Sequence, residues 1–248
     1  MTLLSFQKVK LEIPSQKNPI LDEIALDVSL GDFIVLLGSN GSGKSSLLKM
    51  INGLAIPSRG QILFQERSLI SRPIHKRSRS IVTLTQDLNL STFSNLTVLE
   101  NCILAIHRKK RIFFSSFKRS LKEKIFSHLE QFHSVLCDKC NEMAGSLSGG
   151  ERQILGLAMS LFTIPDLLLL DEHTSALDPD MAHKVMEITH RVVTSNNITT
   201  IMTTHNLNDA LAFGNRVIAL HRGKMILDTT QKQTLTKNQL LALYNYKR

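Results

Sequence analysis

One eight-residue stretch constrains the fold of this chain more than any other: Gly38-Ser39-Asn40-Gly41-Ser42-Gly43-Lys44-Ser45. It follows an apolar run at 33–37 and precedes a run with helical spacing at 46–51. A glycine-rich loop between a strand and a helix is the arrangement that binds nucleotide phosphates. The glycines let backbone N–H groups turn inward around an anion, and the helix adds the positive end of its dipole. The alternative is a glycine-rich turn that binds nothing.

Two side chains of this loop have predicted roles. Lys44 would reach the β- and γ-phosphates of a nucleotide, and Ser45 would offer its hydroxyl to Mg²⁺. Ser46, the next residue, completes the predicted phosphate-binding set.

The rest of the chain predicts an α/β fold. The loose alternation of the first 30 residues predicts an antiparallel β segment, and strand and helix patterns then alternate towards the C-terminus. Residues from Thr97 to about Met143 show helical spacing with few turn residues, which predicts an inserted helical subdomain, assigned to 97–162 with the helix that follows. We therefore predict one domain over residues 1–248. Residues 1–96 and 163–248 would form an α/β core with a mixed sheet, and this core would include an N-terminal antiparallel β subdomain.

Two carboxylates, Asp171 and Glu172, end an apolar run at 167–170. A buried parallel strand brings its last residues to the carboxyl edge of the sheet, beside the phosphate loop. Asp171 is then placed to hold Mg²⁺, and Glu172 to take a proton from an attacking water. An acidic strand end standing alone would favour a structural role.

A second predicted anion site opens a helix at Leu147-Ser148-Gly149-Gly150-Glu151-Arg152-Gln153. Two phosphate-binding helix starts in one chain suggest that each serves a different nucleotide. Three further polar residues complete the pattern, because Gln86 ends a strand, Asp178 lies just past the carboxylates, and His205 follows a strand.

These six motifs in order make the chain resemble the ATP-binding subunit of ABC transporters from about Leu3 to Asp228. The resemblance implies an ATPase that uses ATP and Mg²⁺. By that resemblance Gln86 contacts Mg²⁺ and the lytic water, Asp171 binds the metal, and Glu172 is the catalytic carboxylate.

The same resemblance gives the remaining roles. Residues Ser148, Gly149, Gly150 and Glu151 would close over the γ-phosphate of a partner's ATP, His205 would contact the γ-phosphate, and Asp178 matches a loop at the nucleotide. Lys44 counts with Glu172, His205 and Gln86 among the predicted catalytic residues.

A site shared between two cassettes implies a second copy, most simply of this chain. The resemblance further implies integral-membrane permease subunits, a peripheral position on the cytoplasmic face of the inner membrane, and a substrate-binding protein if the transporter is an importer. Phrases such as Asp-Glu-His-Thr-Ser-Ala-Leu-Asp-Pro resemble subunits of importers for aromatic amino acids or similar small solutes. No nucleic-acid partner is expected.

Two positions depart from the family pattern. Ile13 stands where family members place an aromatic residue against adenine, so the adenine contact is unassigned. His173 stands where proline is common after the catalytic glutamate, and we expect little effect on hydrolysis.

The net charge of +9 supports an alternative function. Eight of the lysines and arginines lie between His107 and Lys124, interleaved with phenylalanines, which suits anionic lipid or a membrane protein. Nucleic acid is the rival partner, and a non-transport cassette ATPase acting on nucleic acid or ribosomes is the alternative. A second basic cluster, at 67–79, is interpreted as a solvated face.

Three cysteines are too few for a disulfide scaffold. We interpret Cys137 and Cys140, with Cys102, as reduced structural thiols, because a zinc site at the Cys-x-x-Cys with His133 would lack a fourth ligand. The first residues show no secretion signal, so a cytosolic location is expected.

Overall fold

The computed structural model describes residues 1–107 and 119–244. They form two compact units, the first from Met1–Thr83, Asp166–Glu172 and Asn197–Arg248, and the second from Leu84–Pro165 and His173–Asn196. The predicted division of the chain, with a subdomain at 97–162, stays a prediction. Each unit is described by itself.

The strands are β1 (Thr2–Leu11), β2 (Leu21–Ser29), β3 (Phe33–Leu37), β4 (Arg59–Phe64), β5 (Arg67–Ser68), β6 (Ile81–Thr85), β7 (Leu167–Asp171), β8 (Thr200–Thr204), β9 (Arg216–His221) and β10 (Lys224–Thr229). The helices are α1 (Lys44–Asn52), α2 (Ile74–Arg77), α3 (Leu88–Ser91), α4 (Val98–His107), α5 (Arg119–Glu130), α6 (Val135–Asp138), α7 (Gly149–Ser160), α8 (Pro179–Ser195), α9 (Leu207–Ala212) and α10 (Lys237–Tyr244).

The first unit contains two sheets. One has the order β2-β1-β4-β5, with antiparallel pairing between neighbours. The other has the order β10-β9-β3-β8-β7-β6, in which β9, β3, β8 and β7 are parallel and β10 is antiparallel to β9. The predicted mixed sheet and antiparallel β segment are thereby confirmed.

The core of the first unit explains why β3 and β7 are nearly continuous apolar runs. All five residues of β3 are buried, as are Leu167 to Leu170 of β7. Strands buried on both faces need apolar side chains at every position, unlike half-exposed strands, which alternate. Side chains from both sheets and from α1 join in one hydrophobic cluster, which fixes the phosphate loop between β3 and α1.

Arg77 corrects the interpretation of the second basic cluster as a solvated face. Its side chain is only 6% exposed. The guanidinium donates to the carbonyls of Met50 and Ile51 at the end of α1, at 3.2 and 3.4 Å. A cation at a helix C-terminus satisfies carbonyls that lack helical partners and offsets the helix dipole. Arg77 therefore stabilises the helix that begins in the phosphate loop.

The second unit is largely helical where it is described, as predicted for the insert. Helix α7 begins at Gly149, within the stretch 147–153 that was predicted to open a helix, and α8 packs on it. Three helices of four residues, α2 in the first unit and α3 and α6 in the second, were not predicted, because one turn is too short to show periodicity. Most of the basic segment, 108–118, lies outside the described residues.

Candidate functional site

Parallel pairing brings three of the four predicted catalytic residues, Lys44, Glu172 and His205, to one edge of the six-stranded sheet. Leu37, the last residue of β3, is in register with Thr204 at the end of β8, and Asp171 at the end of β7 is in register with Thr203. The carboxyl ends of these strands therefore meet at one edge. The phosphate loop follows β3, Glu172 follows β7, and His205 follows β8.

Lys44 is the first residue of α1 and is only 5% exposed. Its ammonium donates to the carbonyl oxygens of Gly38 and Ser39 at 2.7 and 3.3 Å, which holds the side chain across the loop. The same nitrogen lies 3.4 Å from Oε1 of Glu172. Lysine and carboxylate thus face each other over the loop.

Glu172 is held in a strained backbone conformation. Its φ of 47° lies in the left-handed region, which non-glycine residues rarely adopt. Its backbone N–H donates to the hydroxyl of Thr203 at 3.0 Å and lies 3.3 Å from the Thr203 carbonyl. Strain of this kind persists only where surrounding contacts fix it, and it is concentrated at functional sites. Nδ1 of His205 lies 3.8 Å from the other carboxylate oxygen of Glu172.

Thr203 is a site residue that the sequence analysis missed. Its hydroxyl donates to Oδ1 of Asp171 at 2.7 Å and accepts from the backbone of Glu172. One buried hydroxyl therefore positions the carboxylate of Asp171 and the backbone of Glu172. The sequence signal was weak, because threonine is also a common strand residue.

The loop fits a phosphate group. Gly41 and Gly43 have φ of 78° and 108°, which point the backbone in directions that other residues reach only with strain. Among the described residues, the buried hydroxyl of Ser42 has no hydrogen-bond partner. A buried polar group without a partner in a loop of N–H donors suits an oxygen-rich ligand. Asn40 is exposed, and Ser39 and Ser46 are half-buried.

The oxygens at Ser45 and Asp171 fit Mg²⁺. The Ser45 hydroxyl lies 3.3 Å from Oδ1 of Asp171, so a hydroxyl and a carboxylate converge. Mg²⁺ prefers such oxygen ligands and is commonly held by one or two protein groups together with substrate phosphates. In the described ranges no group of three or more histidines, cysteines or acidic residues could hold a metal ion.

The other predicted site residues belong to the second unit. Gln86 is exposed directly after β6. Asp178 is the N-cap of α8, and its carboxylate accepts from the Met181 backbone at 3.0 Å. The contacts predicted for these residues with metal and nucleotide stay predictions.

Ser148 and Glu151 form a complete capping box at the start of α7. The Ser148 hydroxyl accepts from the Glu151 N–H, and the Glu151 carboxylate accepts from the Ser148 N–H. Lys139 donates to both carboxylate oxygens of Glu151 at 2.9 and 3.1 Å. Although burial opposes it, these contacts hold the pKa of Glu151 below its ordinary value. Glycine is required at position 150, since an added Cβ would lie 2.1 Å from Met181.

His173, which follows Glu172 in the chain, is buried. Its Nε2 lies 3.3 Å from the Thr189 hydroxyl of α8, and burial lowers its pKa to about 4. All three cysteines are free, and burial raises the pKa of Cys102 to about 12, which disfavours the reactive thiolate.

Comparison with known proteins decides the family. The family model for "ABC transporter" matches residues 21–175. The chain belongs to the ABC transporter family. It is 39% identical over 236 residues to the tyrosine transport ATP-binding protein of Clostridioides difficile (strain R20291), covering 93% of each chain. It is 30% identical to the phosphonates import ATP-binding protein PhnC 2 of Cupriavidus metallidurans, covering 86% of this chain and 77% of that one.

A solved ABC cassette gives the same fold. It is a dimeric ATP-binding cassette in a post-hydrolysis state, bound to ADP and Pi. The TM-score is 0.75 at 25% identity, with 92% of this chain and 98% of that chain covered. The predicted family, fold class and ATPase class are thus confirmed.

Proposed function

We propose that this ABC cassette powers the import of a small solute through a separate membrane permease, by binding and hydrolysing ATP between two copies of the chain. The observation that carries the proposal is the convergence of Lys44, Glu172 and His205 beside the oxygens of Ser45 and Asp171. The relatives named for tyrosine transport and phosphonates import support import, and the first supports an aromatic amino acid as the solute.

In this proposal each side chain at the sheet edge has one task. The phosphate loop and Lys44 bind the β- and γ-phosphates, and Ser45 and Asp171 hold Mg²⁺, which would neutralise charge on the phosphates. Glu172 accepts a proton from the attacking water. The water oxygen bonds to the γ-phosphorus as the bond between that phosphorus and the ADP oxygen breaks. His205 orients the γ-phosphate, and Gln86 contacts the metal and the lytic water.

The start of α7 has no such task within its own chain. We propose that the Ser148 hydroxyl and the N–H groups of Gly149 and Gly150 bind the γ-phosphate held by a second copy, near Asp178. ATP would then join two copies, and its hydrolysis would release them. The dimeric relative bound to ADP and Pi supports such pairing.

The permease supplies the membrane-spanning part in this proposal, with a substrate-binding protein completing an importer. Among the helices that the structure describes, none is long and apolar enough to cross a bilayer. The chain would be held at the cytoplasmic face of the membrane by the permease. The alternative, action on nucleic acid or ribosomes, rests on a basic segment that lies mostly outside the described residues.

The Glu172→Gln variant tests this proposal through ATP hydrolysis and sedimentation with and without ATP and Mg²⁺. We expect hydrolysis to fall by about 100-fold or more, because the glutamine cannot accept the proton. We also expect ATP to convert the variant from monomer to dimer. A variant that hydrolyses like the parent and never pairs would contradict both the base and the shared site. Lys49→Met, an exposed change on α1, is the matched control and should leave both readouts unchanged.

A further inference from the structure

Arg152 makes an unusually dense set of hydrogen bonds for a half-buried arginine. It lies in the first turns of α7, directly after Glu151. Its Nε donates to the Thr92 hydroxyl at 2.6 Å, and Nη2 lies 2.7 Å from the Ser94 hydroxyl and 2.9 Å from Oδ1 of Asn89. The same Nη2 is 3.4 and 3.5 Å from the carbonyls of Thr92 and Leu88.

These contacts join α7 to one short segment, residues 88–94, which begins two residues after Gln86. All the acceptors are neutral oxygens, so each short bond is a charge-assisted hydrogen bond without a competing ion pair. Nη2 carries two hydrogens, so the contacts at 2.7 and 2.9 Å are the main ones and the two longer contacts share them. The fork shape of the guanidinium sets the angle between helix and segment as well as the distance.

The segment is also fixed on its other side. Asn101, which is fully buried on α4, accepts from the Phe93 N–H at 2.8 Å and donates to the Phe93 carbonyl at 3.0 Å. The Thr92 hydroxyl donates to Leu88, which leaves its lone pairs for Arg152. Yet Leu90 and Phe93 are 76% and 59% exposed. The segment thus has a fixed inner face and an open outer face.

We propose that Arg152 is a positioning residue that locks the phosphate-binding start of α7 to residues 88–94. The pairing of two chains around ATP then depends on how residues 88–94 are held. A contact to the exposed outer face of this segment would therefore also affect pairing. The inference rests on the proposed function, because it concerns the α7 start acting on the ATP of a second copy. The capping box fixes Ser148 against Glu151, and Arg152 anchors the helical turn that contains Ser148 and Glu151.

The test measures three quantities in the Glu172→Gln background: ATP-driven pairing by sedimentation, nucleotide affinity of the dilute monomer, and the melting temperature. For Arg152→Met we expect pairing to weaken by about 10-fold or more while monomer affinity stays within about twofold, since the phosphate loop is built by other residues. Arg152→Lys should recover part of the loss, because an ammonium reaches one acceptor but cannot span the Thr92 and Ser94 hydroxyls.

Thr92→Val supplies the second arm, because it removes the hydroxyl acceptor with little change in shape. If Arg152 acts through Thr92, the double variant should weaken pairing by much less than the product of the two single effects. Arg191→Met is the matched control, since this exposed arginine donates to the Gln131 carbonyl at 2.9 Å in the same unit. It should leave pairing unchanged.

Each remaining outcome overturns a defined part of the inference. If Arg152→Met pairs like the parent, or loses monomer nucleotide affinity in parallel with pairing, Arg152 has no specific positioning role. If Arg152→Met fails to fold, Arg152→Lys and Thr92→Val decide the question. If the parent itself does not pair with ATP, the proposed function fails, and the positioning role fails with it.

Discussion

Two helices of this chain begin at predicted phosphate sites, and their first turns are built differently. Helix α1 follows Gly43, and among the described residues no side chain caps it. Helix α7 begins with a complete capping box from Ser148 and Glu151, which Lys139 reinforces. A helix start leaves backbone N–H groups without helical partners. Within the part of the chain that the structure describes, the first N–H groups of α1 have no side-chain cap, and they can bind a ligand. At α7 the Ser148 hydroxyl already accepts from one of the first N–H groups.

The difference fits two kinds of anion site. The α1 site takes its carboxylates and its histidine from its own chain, because the parallel sheet brings Asp171, Glu172 and His205 to the same edge. The α7 start is held rigid by its own side chains while the Ser148 hydroxyl can still donate. We interpret α1 as the site that binds the nucleotide and α7 as a preorganised surface that meets a nucleotide bound elsewhere.

The largest effect expected from this comparison tests whether the strand pairing positions Asp171 and Glu172. Thr203→Val removes the hydroxyl that donates to Asp171 and accepts from Glu172. We expect kcat for ATP hydrolysis to fall by about 10-fold or more, because a charge-assisted hydrogen bond is lost and the strained Glu172 backbone loosens. Thr200→Val on the same strand is the control, since its hydroxyl donates to the nearby Ile198 carbonyl at 3.0 Å. Equal losses in both variants would refute a specific role for Thr203.

A smaller effect separates stability from pairing at α7. Ser148→Ala removes the cap and should lower the free energy of unfolding by about 1 kcal/mol, measured by denaturant titration. Thr236→Ala, at the matching Thr236–Gln239 capping box before α10, should cost a similar amount. Only Ser148→Ala should also weaken ATP-driven pairing in the Glu172→Gln background. If both variants pair as well as the background does, Ser148 does not contact the nucleotide.

The smallest effect is the pH dependence of stability that arises from His128, which contacts Ala158 of α7. Burial lowers the pKa of His128 below 6.5, although its hydrogen bond to the Ala158 carbonyl opposes the shift. The unfolded chain therefore takes up a proton at a higher pH than the folded chain does. The free energy of unfolding should fall as the pH is lowered from about 7 to about 5, and less so in His128→Gln. Parallel pH profiles for parent and variant would show that His128 is not responsible.

The sequence was sufficient to predict the parts that depend on local pattern. Glycine spacing located the phosphate loop, and continuous apolar runs located β3 and β7, which placed Asp171 and Glu172 at a sheet edge. A serine and two glycines located the α7 start, and the resemblance then implied that it meets the ATP of a partner. These features are visible within a few adjacent residues.

The missed features depend on contacts between distant residues. Thr203 meets Asp171 only because β7 and β8 pair in one register, and a threonine in a strand carries no mark of that role. Arg152 holds a segment whose helix is four residues long, too short for a periodic signal. Arg77 was grouped with exposed cations because burial of one arginine cannot be seen in a basic run.

A mixing experiment tests the shared site most directly. One chain carries Lys44→Ala, which disables the phosphate loop, and the other carries Ser148→Arg, which disables the α7 start. Each alone should be inactive in ATP hydrolysis. If the site is shared, a mixed pair keeps one intact combination, and an equal mixture should regain about a quarter of the parent rate for random pairing. A mixture as inactive as its two components would contradict the shared site.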